Sequence, residues 1–364
     1  MTSHSRQIET KASKTMNTTA AKTTTALEIV LPGRVEPRDL QVTHRELPPP
    51  AAGQALVRVE ATGVSFAEQQ MRRGKYYDQP PFPFVPGYDL VGTVEAVGAD
   101  LDPALIGRRV AALTKTGGWS SHLLLPADSL VPVPAALDPA EAETFVVNGI
   151  TAWQMLHRFA KIRAGQTILV HGANGGVGST LVQLARVAGV RVIGSASARN
   201  ADAVRALGAL PIDYRGDITA QVRAISPDGV DAVFDHVGGP GIIDSFRLLA
   251  PGGTLVAYGS AATKDDAGNS RLPVLALFAR LMLWNLLPNK RNAHFYNIWT
   301  GARRRTRFLN RQAEDLAAVL ELAANGNLHP QVAARFPLSE AGSALELAES
   351  HTVTGKVVLV ADEN

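Results

Sequence analysis

Cysteine is absent from the 364 residues. That rules out disulfides, thiolate nucleophiles and cysteine-ligated zinc. It also fits a reducing compartment, so a cytoplasmic location is expected. No apolar run approaches the ~20 residues of a membrane-spanning helix, so no transmembrane segment is expected. A surplus of one charge is missing from most of the chain. The net charge is +3 and the isoelectric point about 9.2, which alone would point to nucleic acid or an anionic surface. Residues 1–25, however, carry Arg6, Lys11, Lys14 and Lys22 against Glu9. Taking those from totals of 36 basic and 33 acidic residues leaves 32 of each, so the body is neutral. A basic groove that tracks a nucleic acid is therefore not expected. The tail is rich in Ser and Thr, poor in large apolar residues and expected to be disordered. It lacks the apolar stretch of a secretory signal. A transit-like segment, a loose extension and a later start at Met16 all stay open. The chain as a whole is 46% hydrophobic and 19% charged, an ordinary globular composition long enough for two domains.

The most informative stretch is Thr167 to Ser179, TILVHGANGGVGS. An apolar strand runs into a glycine-rich loop, which opens a helix whose apolar face carries Leu181, Val182, Leu184, Ala185 and Val187. Strand, loop and helix N-terminus together make a phosphate cradle. Backbone N–H groups and the positive end of the helix dipole face an anion there, and glycines let a pyrophosphate approach the main chain. Gly172, Asn174, Gly175, Gly176, Val177 and Gly178 are the candidate cofactor-binding residues of this loop. The spacing Gly172-x-x-Gly175-x-x-Gly178 departs from the usual G-x-G-x-x-G, and a plain glycine turn is the competing reading.

Many dinucleotide folds place Asp or Glu about 20 residues further on, to hold a ribose 2′-hydroxyl. Here the second strand ends Ser195-Ala196-Ser197-Ala198-Arg199, without a carboxylate. Ser195 and Ser197 leave room for a 2′-phosphate and Arg199 offers it a charge-assisted partner, which favours NADPH over NADH. A solvated surface arginine is the alternative.

Residues 26–150 are short alternating segments punctuated by Pro and Gly, which predicts a β-rich domain. From about Thr151 the texture becomes strand–helix alternation. Strands are predicted at 168–171, 191–194, 211–213, 230–235 and 254–258, and helices at 177–188, 201–207 and 241–249. This predicts a doubly wound parallel sheet, an α/β fold. Val237, Gly259 and Ser260 then follow its fourth and fifth strands, at the carboxyl edge where such sheets bind ligands. Residues 272–300 are apolar and aromatic and read as a last strand, a dimer surface or a lid. Helices are expected at 314–324 and 340–349 and a closing strand at 356–360. This last part is expected to return to the first domain. The division is therefore a tail at 1–25, a β-rich catalytic domain of 26–150 and 301–364, and a cofactor domain of 151–300.

Several further segments join the glycine loop in register: Gly63-Val64-Ser65-Phe66-Ala67-Glu68, Arg73-Gly74-Lys75-Tyr76, Pro86-Gly87-Tyr88-Asp89, Ile212-Asp213-Tyr214-Arg215, Asp235-His236-Val237-Gly238-Gly239 and Thr354-Gly355-Lys356-Val357. Over about residues 27–362 the chain resembles the zinc-independent quinone oxidoreductase (zeta-crystallin-like) branch of the medium-chain dehydrogenase/reductase superfamily. The 272–300 stretch looks most like the subgroup of the synaptic vesicle membrane quinone-reductase homologue. The resemblance implies a Rossmann-type sheet plus a discontinuous GroES-like domain, and a homodimer. Zinc members use a Cys and a Gly-His-Glu. Here Ser65 and Gly87-Tyr88-Asp89 stand in those places, so no metal is expected.

The resemblance also implies residue roles. Ser65 stands where relatives place an Asn near the nicotinamide and the substrate carbonyl, and its shorter side chain changes that contact. Tyr76 matches an active-site tyrosine that donates a proton or hydrogen bond, with a packing aromatic as the alternative. Tyr214 matches a tyrosine beside the adenosine phosphate, with a strand-end core residue as the alternative. Asn148 and Thr151 fall where relatives approach the nicotinamide, although Asn148 also suits a helix cap. Lys356 matches a lysine near the cofactor, against a solvated lysine. His122, His171 and His236 read as ordinary core or strand-end residues. The expected activity is NADPH-dependent hydride transfer to a bulky apolar quinone or α,β-unsaturated carbonyl. The rivals are an NADPH-binding protein in lipid or membrane contact, a nucleic-acid binder and a methyltransferase.

Overall fold

The computed structural model describes residues 23–259, 271–350 and 352–362, without the side chains of 271–274. Most of the expected tail, and Ser260, lie outside the described residues. The first strands, β1 (Thr24–Val30) and β2 (Gln41–Leu47), form an antiparallel ribbon. β1 begins two residues inside the stretch expected to be disordered, where Thr24 and Thr25 pair with Leu47 and Glu46. Then come β3 (Gln54–Val64), α1 (Phe66–Arg72), β4 (Asp89–Val97), β5 (Arg109–Leu113), β6 (His122–Pro126) and β7 (Val131–Pro132). Two helices follow, α2 (Pro139–Glu143) and α3 (Val146–Trp153), and α3 runs on into a π-helical turn over Gln154–Phe159.

The parallel sheet is built from β8 (Thr167–His171), α4 (Gly176–Val187), β9 (Arg191–Ala196), α5 (Ala201–Ala206), β10 (Leu210–Asp213), α6 (Ile218–Ile225), β11 (Val230–Asp235), α7 (Ile242–Arg247), β12 (Leu249–Ala257), α8 (Arg271–Leu286) and β13 (Asn292–Phe295). Its strand order is β10-β9-β8-β11-β12-β13, all parallel. The order reverses between β8 and β11, and at that switch point a crevice opens beyond the strand ends. Ile168, Leu169 and Val170 of β8 are all fully buried, as a continuous apolar run with helices on both faces requires. On α4, Leu181, Val182, Leu184 and Ala185 are buried, whereas Val187 is exposed, one step beyond the apolar face expected of it. The sequence reading missed α6 altogether, because only Val222 of that helix is fully buried.

The chain then returns through α9 (Arg305–Ala324), β14 (Val332–Pro337), α10 (Ala341–Glu349) and β15 (Lys356–Val360). Strand β15 inserts between β14 and β3, in the order β14-β15-β3-β4-β5-β7, with β6 also on β3. The β-rich GroES-like domain is thus discontinuous, completed by the last described residues. Helix α9 starts nine residues earlier than the expected 314, inside the basic cluster. Phe308, Gln312, Asp315 and Leu316 turn inward while the arginines face out. The 272–300 stretch divides into α8 and the edge strand β13. Leu275, Phe278, Met282, Leu283 and Leu286 of α8 are exposed.

Candidate active site

A cleft of about 920 Å³ lies at the carboxyl edge of the parallel sheet, between it and the β-rich domain. This is at the upper end of what small-molecule sites occupy. Every described candidate lines it: Ser65, Tyr76, Asn148, Thr151, the six residues of the glycine loop, Ser195, Ser197, Arg199, Tyr214, Val237, Gly259 and Lys356.

The glycine loop works by close approach. Gly172 has φ +63°, a region that costs other residues energy. A Cβ on Gly178 would lie 2.1 Å from the Gly172 carbonyl oxygen, and one on Gly176 would lie 2.6 Å from the Asn148 amide nitrogen. At Gly175 the nearest atom would be 3.4 Å away, so the loop keeps an open face there. Gly175 is also the N-cap of α4 and carries no side chain to cap it. The first-turn N–H groups are thus free to meet an anion. The loop is tied across the cleft by a parallel bridge between Gly175 and Gly355, with Gly355 N–H donating to the Asn174 carbonyl at 3.3 Å.

At the end of β9, Ser195 Oγ is hydrogen-bonded to His171 Nδ1 at 3.0 Å. The Ser197 hydroxyl is buried without a partner, and exposed Arg199 follows it. Tyr214 is half exposed at the end of β10, not a core residue. Behind the loop, His171 Nε2 contacts Ser245 Oγ at 3.2 Å, and that hydroxyl donates to Asp235 at 2.7 Å. Burial holds His171 and His236 below the ordinary histidine range, against the pull of Asp235, so both stay neutral near neutral pH. His171 is a member of a buried polar network, which its plain strand-end reading did not include.

At the other end of the cleft, Tyr76 and Tyr88 share a hydrogen bond of 2.8 Å between their hydroxyls. The indole N–H of Trp299 donates to the Tyr88 oxygen. Burial above all, then neighbouring tyrosines, pushes the Tyr76 phenol far above its usual range, and burial raises Tyr88 as well. Both phenols therefore stay protonated and act as hydrogen-bond groups. Sequence reasoning saw Trp299 only as part of an apolar run, and nothing local signals its partner 211 positions away. Tyr296 is also buried here and donates to Gln154 at 3.0 Å.

Ser65 is the N-cap of α1. Its Oγ accepts from Ala67 N–H at 3.2 Å and is bonded to the Glu68 carboxyl group, which also accepts the Ser65 N–H at 2.9 Å. The Ser65-x-x-Glu68 pattern is the signature of a capping box, which the sequence reading did not single out. Asn148 is no cap. It sits inside α3 and donates to the Thr144 carbonyl at 3.0 Å. Lys356 is not solvated. It is 4% exposed, and its Nζ lies 2.8 Å from Asp89 and 2.6 Å from Glu143, both fully buried. Those two carboxylates hold Lys356 above its usual range despite its burial. Burial, and next the negative charge of Asp89, raise Glu143 well above the carboxylate range, against the pull of Lys356. Among the described residues, no group of three or more His, Cys, Asp or Glu is placed to hold a metal ion.

Residues 207–359 match the family model described as a zinc-binding dehydrogenase, and residues 51–135 match the alcohol dehydrogenase GroES-like domain. The human synaptic vesicle membrane protein VAT-1 homolog is 32% identical over 324 residues, which cover 86% of this chain and 80% of that protein. A quinone oxidoreductase from Pseudomonas syringae aligns with a TM-score of 0.79 at 26% identity, covering 92% of this chain and 99% of the other. A mycobacterial protein solved in complex with NADPH aligns with a TM-score of 0.77 at 27% identity, over 92% and 99% of the two chains.

Proposed function

Because the chain belongs to the quinone oxidoreductase branch of the medium-chain dehydrogenase/reductase superfamily, a family of oxidoreductases, we propose that it reduces quinones or α,β-unsaturated carbonyl compounds with NADPH. One observation carries the cofactor choice. The end of β9 offers a buried, unpartnered Ser197 hydroxyl beside exposed Arg199, with no carboxylate that would repel a 2′-phosphate. The uncapped N-terminus of α4 and the open face at Gly175 suit the pyrophosphate. Asn148, Thr151, Val237, Gly259 and Lys356 are candidates to border the nicotinamide, and Tyr214 the adenosine.

Bound NADPH supplies the hydride. The chain's own residues orient the acceptor, exclude water and hold a proton at the developing oxyanion. Tyr76 suits the last task, since its phenol remains protonated and lines the cleft. The aromatic wall of Tyr76, Tyr77, Tyr88 and Tyr296 suits a flat, apolar acceptor. The test is a fluorescence titration with NADPH and NADH, followed by turnover of a panel of quinones and enones. Micromolar NADPH with much weaker NADH, and turnover of at least one acceptor, are expected. Failure to bind either cofactor would sink the proposal.

The exposed strip on α8 favours a second reading, a cofactor-binding protein that docks on lipid and turns over little. The same strip and the edge strand β13 also suit the homodimer proposed from the family resemblance. Sedimentation with and without liposomes separates the two. Among the described residues no helix is long and apolar enough to cross a membrane. We propose a cytoplasmic location, checked by fractionation, and domain divisions near residues 150 and 300, checked by limited proteolysis.

A further inference from the structure

Two-electron reduction of a quinone or a conjugated C=C consumes one hydride and one proton. Tyr76 is poorly suited to give that proton up, because a phenolate there would be buried among other phenols. Behind the cleft lies a better source. Glu68 is 1% exposed. One of its oxygens takes both the Ser65 N–H and the Ser65 hydroxyl, and the other, Oε1, is buried without a partner. An ionised carboxylate so placed would leave charge on an atom with no donor. Asp89 on β4 and the Tyr88 ring also face Glu68, and Lys356 on β15 is already shared between Asp89 and Glu143. Burial first, then Asp89, raises the Glu68 carboxyl, against the pull of Ser65 and more weakly of Lys356. Ser65, hydrogen-bonded to this acid, is itself one of the residues that line the cleft.

We propose that Glu68 and Ser65 form the proton-delivery relay of this site, a reading that rests on the reductase function proposed above. The Ser65 hydroxyl, which donates to Glu68, turns to the acceptor, and its Oγ–H bond breaks as the proton passes to the reduced acceptor. The Glu68 O–H bond breaks as its proton passes to Ser65 Oγ. The Glu68 carboxylate regains a proton from water through Ser65 once product has left the open cleft. Hydride from the nicotinamide and this one proton complete the reduction.

The capping box makes the test clean. Gln serves as well as Glu at that capping position, so Glu68→Gln keeps the local structure and removes the acid. Ser65→Gly keeps an acceptable N-cap and removes the hydroxyl, while Ser65→Thr restores both. In infrared spectra at pH 7, the wild type should show a neutral-carboxyl C=O band that weakens in E68Q, with or without NADPH. With an acceptor that the wild type reduces, E68Q and S65G should lose about 10²-fold in kcat and their pH dependence, at unchanged NADPH affinity. S65T should retain most activity. An E68Q spectrum identical to wild type, or an undiminished E68Q rate with the wild-type pH profile, would overturn the relay alone. Failure of the wild type to reduce any acceptor would overturn the functional reading, and the relay with it.

Discussion

Replacing Lys356 with Met should destabilise the protein far more than an ordinary lysine substitution. Its ammonium sits 2.8 Å from Asp89 and 2.6 Å from Glu143, with side-chain exposures of 3%, 0% and 0%. Removing one partner of a buried pair typically costs about 3–5 kcal/mol, because a charge is left uncompensated. Burial raises the Glu143 carboxyl, so loss of the ammonium favours its protonation, and Asp89 keeps the Val147 N–H at 2.8 Å, which limits the uncompensated charge. The expected loss is therefore near the lower end, ~3 kcal/mol. For a cooperative unit of some 200 residues that is roughly 6–12 °C in Tm. Thermal melts at pH 7 without cofactor measure it. The partner variant Asp89→Asn completes a double-mutant cycle, in which K356M/D89N should recover part of the loss and give a coupling above ~1 kcal/mol. The pH dependence has a definite sign. The folded pKa of Lys356 is raised, so its contribution is full below the unfolded lysine value of about 10.4 and fades as pH climbs through the folded value. The gap between wild type and variant should be level from neutral pH to that point and close above it. A K356M loss within about 0.5 kcal/mol, the range of surface changes, would refute the reasoning, as would strict additivity with D89N.

Gly178→Ala should lose ~1–3 kcal/mol and cofactor binding together, because its Cβ would meet backbone at 2.1 Å. Gly175→Ala should leave the melting temperature almost unchanged and weaken NADPH alone, since only an incoming phosphate contests that space; equal melting losses for the two would contradict this. Arg199→Ala should weaken NADPH by roughly 10- to 100-fold, the worth of a charged hydrogen bond, and leave NADH affinity nearly constant in the same titration. Tyr76→Phe should lower kcat with little change in the NADPH Kd, by about 10²-fold for a lost oxyanion donor in steady-state assays. The folded pKa of His171 is depressed, so the unfolded chain binds more protons below about pH 6.5 and stability falls as pH drops through that value. His171→Gln should flatten that acid limb of the melting curve.

The parallel sheet was readable because its strands are buried on both faces and leave unbroken apolar runs, as in Thr167–His171. The order of its helices followed from glycine and polar punctuation. Helix α6 escaped because one buried valine gives hardly any periodic signal. The start of α9 escaped because Arg303 to Arg307 read as a solvated cluster, while the inward positions are set by contacts with residues 154 and 158. The cleft lining was legible residue by residue through local motifs. The partners of those residues were not, since Lys356 meets Asp89 and Glu143 across 267 and 213 positions. Local sequence carries turn and cap chemistry well, and the Ser65–Glu68 box shows that even a correctly located serine has its bonding decided by the helix it starts.

The insertion of β15 between β14 and β3 has a consequence for synthesis on the ribosome. Strand β3 ends at Val64, yet its neighbour begins at Lys356. At about 5–20 residues per second, roughly 15–60 seconds separate the emergence of the two. During that interval the nascent β-rich unit has one open sheet edge and two acids without their counter-ion. The parallel sheet, whose strands lie within Thr167–Phe295, is complete well before. The order of emergence therefore favours assembly of the central α/β unit first, with the β-rich domain completed last. A chain stalled short of residue 356 should be an accessible client for chaperones and proteases at its first 150 residues.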